Sequence, residues 1–452
     1  MKIPLPDHVK HIISTLEAAG YAAYAVGGCI RDTIRNIAPK DWDIATSATP
    51  AQAKELFART VDTGIKHGTI TVLLDSLPYE VTTFRIDGEY LDSRRPQSVE
   101  FTASIVEDLS RRDFTMNAIA YSPAAGIVDP FDGQKDIEQK LIRCVGSPLL
   151  RFGEDALRML RAIRFSATTG FCVDSEIIAA ISALKSNLQN ISPERIREEL
   201  SKLITSPNPQ AMNLLHETGL LPYVLHGREY DGDLAQVITW IEVCPPTETM
   251  RVALFLHRAD NDIENILRDL RYDNKSAKEI SLYVKMLPTP IPHDRVQIKK
   301  LLRYIPQELL ENLLTLQSII CSMPPSSASQ IGWYENLLRK CFILTNSNAQ
   351  TISVPQAASA NEVETLTPAA FENIRQEIAD IIKSEECFTL PQLAIKGSDL
   401  AEIGILPGKE MGDMLEFLLD EVIHSPLSNT REILISIAVR KNGHKFPQIF
   451  NW

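Results

Sequence analysis

The sequence predicts a mixed α/β domain over residues 1–148 followed by an all-helical remainder, and three observations lead there. Short runs rich in β-branched and aromatic residues alternate with helical patterns before residue 149, the 3.6-residue period takes over after it, and 452 residues are too many for one compact core. Residues 7–19 have helical periodicity, and Gly20 is placed to stop the helix. YAAYAV (21–26) reads as a strand, and Gly27-Gly28 opens a short helix running to Arg35. DWDIATSA (41–48) is a second strand, and Thr49-Pro50 supplies a cap and a first-turn proline for a helix reaching Phe57. TITVLLD (69–75) and YEVTTFR (79–85) form two strands paired about a tight turn. IDGEYLDSRRPQ (86–97) is charged and holds Gly and Pro, so it reads as a mobile loop. The helical remainder divides into 149–225, rich in Arg and Glu, then 226–323, then 324–452. The polar stretch 345–364 reads as a linker or surface loop within the last of these.

Composition narrows the function classes. No run of about 18 apolar residues is present, so no membrane span is expected, and the polar N-terminus reads as a helix and not as a signal peptide. Seven scattered cysteines without a C-x-x-C pair fit reduced thiols in the cytoplasm better than a disulfide framework or a zinc site. The net charge of −12 runs against a nucleic-acid partner, because phosphate attracts basic surfaces. What counts is the local field of a groove, however, and residues 151–223 carry eight basic and eight acidic side chains.

The first motif is GGCIRD (27–32), followed by Asp41-Trp42-Asp43. Gly27 and Gly28, between a strand and a helix, allow backbone amides to approach a phosphate, and Arg31 one turn on can donate to its oxygens. On a strand, positions i and i+2 share a face, so Asp41 and Asp43 are expected side by side. Two adjacent carboxylates suit a pair of divalent ions about 3.5–4 Å apart, and Mg²⁺ is the hard, oxygen-seeking choice. Glu80, taken to stand at a strand start, is a candidate third carboxylate. Each feature alone is an ordinary surface pattern; the combination on one strand–helix–strand unit is what points to phosphoryl chemistry.

A second stripe lies in RFGEDALRMLRAIRF (151–165), expected as one helix with Glu154, Asp155, Arg158, Arg161 and Arg164 along a face. A salt-bridged exposed helix is the plain reading. The chemical reading is that cytosine and adenine both offer an exocyclic amine beside a ring-nitrogen acceptor. Asp155 can accept from the amine while Arg158 donates to the ring nitrogen. Guanine and uracil reverse that pair and would leave buried groups unsatisfied at about 1–3 kcal/mol each. Arg161 and Arg164 would meet phosphate or stiffen the pocket.

These motifs resemble those of the class II tRNA nucleotidyltransferase and poly(A) polymerase family, in its Bacillus-type branch. GGCIRD with DWD is similar to the family's first motif and RRDFTMNAIAY (111–121) to its second. DPFDGQKDIEQKLIRCVG (129–146) is similar to the hinge, EDALR (154–158) to the base-reading template, and SPERIREEL (192–200) to the motif supporting it. The resemblance is dense over the first 225 residues and thinner beyond. It implies a polymerase-β-like head (1–148), then a helical neck (149–225), body (226–323) and tRNA-gripping tail (324–452). It also implies addition of C, C and A to tRNA from CTP and ATP, with Arg112 on the incoming nucleotide and Asp113 and Asn117 ordering the site. Within the resemblance, the H-G-T segment at 67–69 is like that of the tRNA enzymes, and RIDGEYLDSRRP (85–96) resembles the loop that lets the pocket pass from CTP to ATP. An enzyme adding only A, a poly(A) polymerase, and a non-catalytic RNA-binding scaffold are the alternatives. His293-Asp294 reads as a surface loop pair and not a phosphohydrolase metal site, and His67 as a structural loop residue. RKNGHK (440–445) reads equally as a solvated terminus or a phosphate contact.

Overall fold

The computed structural model describes residues 2–88, 99–228, 230, 232–257, 262–323 and 368–443, in two compact units, Met1–Ala277 and Lys278–Trp452. Most of the expected loop at 86–97, the linker at 345–364 and the end of RKNGHK lie outside the described residues.

The first unit is built on a seven-stranded mixed sheet. Its opening elements are α1 (Asp7–Ala18), β1 (Ala23–Val26), α2 (Gly28–Ile34), β2 (Asp43–Thr46), α3 (Pro50–Leu56), β3 (Thr60–Gly64), β4 (Thr69–Leu74) and β5 (Leu77–Thr83). A small hairpin, β6 (Arg85–Asp87) with β7 (Val99–Phe101), leads to α4 (Ile105–Ser110), β8 (Ala120–Ser122), β9 (Gly126–Val128) and α5 (Gly133–Glu138). The sheet order is β3-β4-β5-β2-β1-β8-β9. Every neighbouring pair is antiparallel except β2 and β5, which run parallel with Ile44 beside Val81. Helix α1 buries Val9, Ile12, Ile13 and Leu16, the spacing of a single apolar stripe. Thr49 and Gln52 close a capping box at α3. Asp75 and Ser76 both take left-handed backbone angles (φ 49° and 67°), the turn that lets β4 fold tightly back onto β5.

Strands β3, β8 and β9 are absent from the sequence reading, and the structure departs from that reading at further points. Ile86 and Asp87, read as loop, pair in β6. Glu80 sits inside β5 and not at its start, because pairing extends back to the Leu74–Leu77 turn. A two-residue parallel ladder, β10 (Leu141–Ile142) with β11 (Cys172–Val173), interrupts the helical stretch. The expected helix over 151–165 is two helices, α6 (Pro148–Glu154) and α7 (Leu157–Thr169), broken at Asp155, whose backbone is extended (φ −137°, ψ 103°).

After α8 (Ser175–Leu184), α9 (Pro193–Ile204) packs along α7 and buries Ile196, Leu200, Leu203 and Ile204. Its C-terminal end is closed by the buried Arg251, which donates to the carbonyls of Ile204 and Ser206 at 3.0 Å each. The second unit holds helices Arg295–Leu302, Gln307–Ser322, Pro368–Lys383, Gly397–Glu402, Lys409–His424 and Arg431–Gly443 among its described residues. One of its cores gathers Leu400, Leu418, Leu419, Val422, Ile423 and Leu434. Asp294, read from sequence as part of a surface loop pair, caps a helix by accepting from the Gln297 amide at 2.9 Å. Among the described residues no helix is long and apolar enough to cross a membrane, and the six described cysteines are free thiols.

Candidate active site

The strand–glycine–helix turn is locally determined. Gly27 adopts φ 79° and ψ −127°, a conformation that side chains rarely tolerate, and its amide donates to the Ile119 carbonyl at 3.0 Å. A Cβ there would stand 3.0 Å from Arg112 Nη1, so the missing side chain is what lets the Arg112 guanidinium lie over the turn. Arg31 is fixed from both ends, donating to Asp32 at 2.9 Å twice and to Asn117 Oδ1 at 2.8 Å.

Asp41, Asp43 and Glu80 line the same cleft as Gly27 and Gly28, a space of about 730 Å³. β2 begins at Asp43, so Asp41 lies just ahead of the strand and not on it, yet both open on that cleft. The parallel register of Ile44 with Val81 sets Glu80 beside Asp43. Desolvation by the surrounding protein, then the negative charge of Glu80, and less so that of Asp41, push the Asp43 pKa up against the pull of Arg112. Such crowding of carboxylates is relieved by a cation, so the donor set fits a divalent ion. Among the described residues no group of three or more His, Cys, Asp or Glu is arranged to hold an ion by itself. An ion here would therefore take part of its shell from phosphate oxygens and water, which is how Mg²⁺ is commonly held.

The same cleft is lined by Asp155, Arg158, Arg161 and Arg164. The break at Asp155 has a local and a distant cause. Its Oδ1 accepts the Leu157 amide at 3.1 Å and so caps α7, while Arg195 on α9 draws the same carboxylate at 2.7 Å. Arg158, only 8% exposed, donates to Glu154 at 2.5 Å and to the Arg111 carbonyl at 2.9 Å. Arg161 grips Asp113 with two bonds of 2.6 and 2.9 Å, and Arg164 donates to Glu199 at 2.8 Å while lying 3.5 Å over the Phe165 ring. Burial would raise the Asp113 pKa, but Arg161 outweighs it, and with Asn117 holds the group down at about 2.

All eleven residues singled out from sequence line this one cleft. Sequence reasoning missed their individual supports: Asp108, Arg195 and the buried Glu199. The signals were spacings, Asp108 four before Arg112 and Glu199 four after Arg195, the latter pair inside the 192–200 motif read as supporting the template.

Comparison with known proteins agrees with this geometry. A family model described as the poly A polymerase head domain matches residues 23–143. One for the probable RNA and SrmB-binding site of polymerase A matches 170–231, and one for a putative tRNA nucleotidyltransferase domain 2 matches 352–438. The chain is 35% identical over 437 residues to a CCA-adding enzyme of Limosilactobacillus fermentum, covering 96% of each. It is 49% identical over 225 residues to one from Geobacillus kaustophilus, covering 50% of this chain and 55% of that one. The crystal structure of the Bacillus stearothermophilus CCA-adding enzyme in complex with CTP superposes with a TM-score of 0.75 at 29% identity, covering 98% of this chain and 99% of that one. With a mixed-sheet head, a mostly helical remainder and relatives matched from end to end, the chain belongs to the CCA-adding family of tRNA nucleotidyltransferases.

Proposed function

We propose that this chain adds C, C and A in turn to the 3′ end of tRNA from CTP and ATP, without a nucleic-acid template, and releases pyrophosphate at each step. The observation that carries the reading is the single cleft that Asp41, Asp43 and the glycine turn line together with Asp155 and Arg158. Relatives of this chain are named CCA-adding enzymes, and solved structures of such enzymes include complexes with CTP, ATP and tRNA.

Asp41 and Asp43 would hold Mg²⁺, with Glu80 as a neighbouring carboxylate; the metal supplies a lowered pKa for the attacking 3′-hydroxyl and neutralises charge on the triphosphate. The glycine turn with Arg31 and Arg112 binds the triphosphate and fixes the α-phosphate in line with the tRNA terminus. The terminal 3′-oxygen forms the new bond to the α-phosphorus as the bond to the β-phosphate oxygen breaks, and pyrophosphate leaves with that oxygen. Asp155 accepts from the exocyclic amine of C or A, and Arg158 donates to the ring nitrogen beside it. Arg161 and Arg164 stiffen the pocket through Asp113 and Glu199. Residues 1–148 are the head, 149–225 the neck, 226–323 the body and 324–452 the tail, and the enzyme works in the cytoplasm, where tRNA, CTP and ATP meet.

Asp43→Ala tests the reading. The variant is expected to bind tRNA lacking CCA as the parent does, while CTP incorporation falls by about 10³-fold or more. Incorporation at the parent rate would end the assignment. The product on all four nucleotides, three residues of defined sequence against a run of A alone, separates CCA addition from polyadenylation.

A further inference from the structure

One buried carboxylate outside the cleft lining holds an arginine that belongs to it. Asp108, on α4, is fully buried at 0% exposure. It accepts from Arg111 Nε at 3.0 Å and Nη2 at 2.7 Å, from Arg112 Nη2 at 3.2 Å, and from the Arg85 amide at 3.3 Å. These four donors come from the end of α4, the turn beyond it and the first residue of β6. Arg112 thereby has one end of its guanidinium tied to Asp108 while its other end, Nη1, stands over Gly27.

An arginine side chain left to itself samples many rotamers, and ordering one costs side-chain entropy. A guanidinium fixed through one nitrogen has that freedom removed before ligand arrives, and its remaining face is held in position. We infer that Asp108 is a positioning residue for the incoming nucleotide: it sets the Arg112 guanidinium over the Gly27–Gly28 turn, ready for the triphosphate. The inference rests on the proposed function, because it takes a nucleoside triphosphate as the ligand of that turn. It differs from a merely structural role in one respect, since the effect of Asp108 on nucleotide affinity must pass through Arg112.

A double-mutant cycle reads that difference. Dissociation constants for CTP and ATP are measured at equilibrium, without tRNA and therefore without turnover, for the parent, Asp108→Asn, Arg112→Ala and the double variant. Asp108→Asn is expected to weaken both nucleotides by a similar factor of roughly 10–100, the range for losing a charge-assisted hydrogen bond. In the Arg112→Ala background the same change is expected to shift affinity less than twofold. Equal factors in both backgrounds overturn the inference, as does parent-like affinity in Asp108→Asn. Asp108→Glu keeps the charge, and so the ion pairs that hold the fold, but its extra methylene has to displace Arg112. Weaker CTP binding with unchanged tRNA binding in that variant supports the inference, and unchanged CTP binding overturns it even where Asp108→Asn does not fold. A parent protein that binds CTP but extends no tRNA overturns the proposed function alone, because the cycle needs only nucleotide binding.

Discussion

Asp113→Asn isolates an ionisation from a shape. The Asp113 carboxylate is 8% exposed and takes two bonds from Arg161, one from the Asn117 amide nitrogen at 3.2 Å and one from the Phe114 amide at 2.8 Å. Burial works to raise its pKa, but Arg161 and the hydrogen bonds bring it to about 2 from an ordinary value of 3.8. The folded pKa lies below the unfolded one, so the stabilisation is complete well above pH 4 and is lost as pH falls through 4 toward 2. A difference of roughly two pKa units corresponds to about 2–3 kcal/mol at pH 7, and about half of it remains near pH 3. Asn keeps the shape and one acceptor but presents an amine to the Arg161 fork, leaving that guanidinium with Glu199 at 3.5 Å. The expected result is a loss of about 2–3 kcal/mol at pH 7 that shrinks by half at pH 3. Urea unfolding followed by tryptophan fluorescence measures it, with Trp333 and Trp452 replaced by Phe so that Trp42 and Trp240 report on the first unit alone. A deficit that stays constant from pH 7 to pH 3 would refute the reasoning, because it would come from packing and not from charge.

Two further changes test the cleft at its ends. Gly27→Ala forces a side chain into φ 79° with a Cβ 3.0 Å from Arg112, so a stability loss of about 1–3 kcal/mol and a raised KM for CTP and ATP are expected. Thermal melting and initial rates check both, and an unchanged KM would show that the turn does not face the triphosphate. Arg158→Ala removes the donor assigned to the ring nitrogen, so preference for C and A over U and G should fall about tenfold or more in competition assays. Retained selectivity would take base reading away from this residue.

What could be read from the chain was what its near neighbours decide. The β1–Gly–α2 turn, the Thr49 cap with its first-turn proline and the β4–β5 hairpin each depend on residues within a few positions, and each was legible in sequence. The position of Glu80 beside Asp43 was not, because it depends on a parallel register between segments 37 residues apart. The break at Asp155 was hidden for a similar reason. Helical periodicity runs straight through residues 151–165, and what overrides it is Asp155 capping α7 under the pull of Arg195, 40 residues on. The arginine stripe survives the break because Arg158, Arg161 and Arg164 recur every three residues along α7 and still line the cleft. Asp108 and Glu199 were invisible as a class, since a buried carboxylate in a salt-bridged helix has the same letters as a solvated one.

The same distinction resolves the charge balance that spoke against an RNA substrate. A net charge of −12 is a property of the whole surface, and a triphosphate or a tRNA terminus meets only the field of the groove it enters. The cleft is lined by nine basic side chains against five acidic ones, the reverse of the chain as a whole. Three of those five, Asp41, Asp43 and Glu80, are the group that fits a divalent cation, and a bound cation cancels charge that would repel phosphate. The other two, Asp113 and Asp155, already face Arg161 and Arg195. Both therefore act as anchors for arginines more than as free negative charge. An acidic protein can thus hold a strongly anionic substrate, provided that its carboxylates in the groove are each committed to a cation.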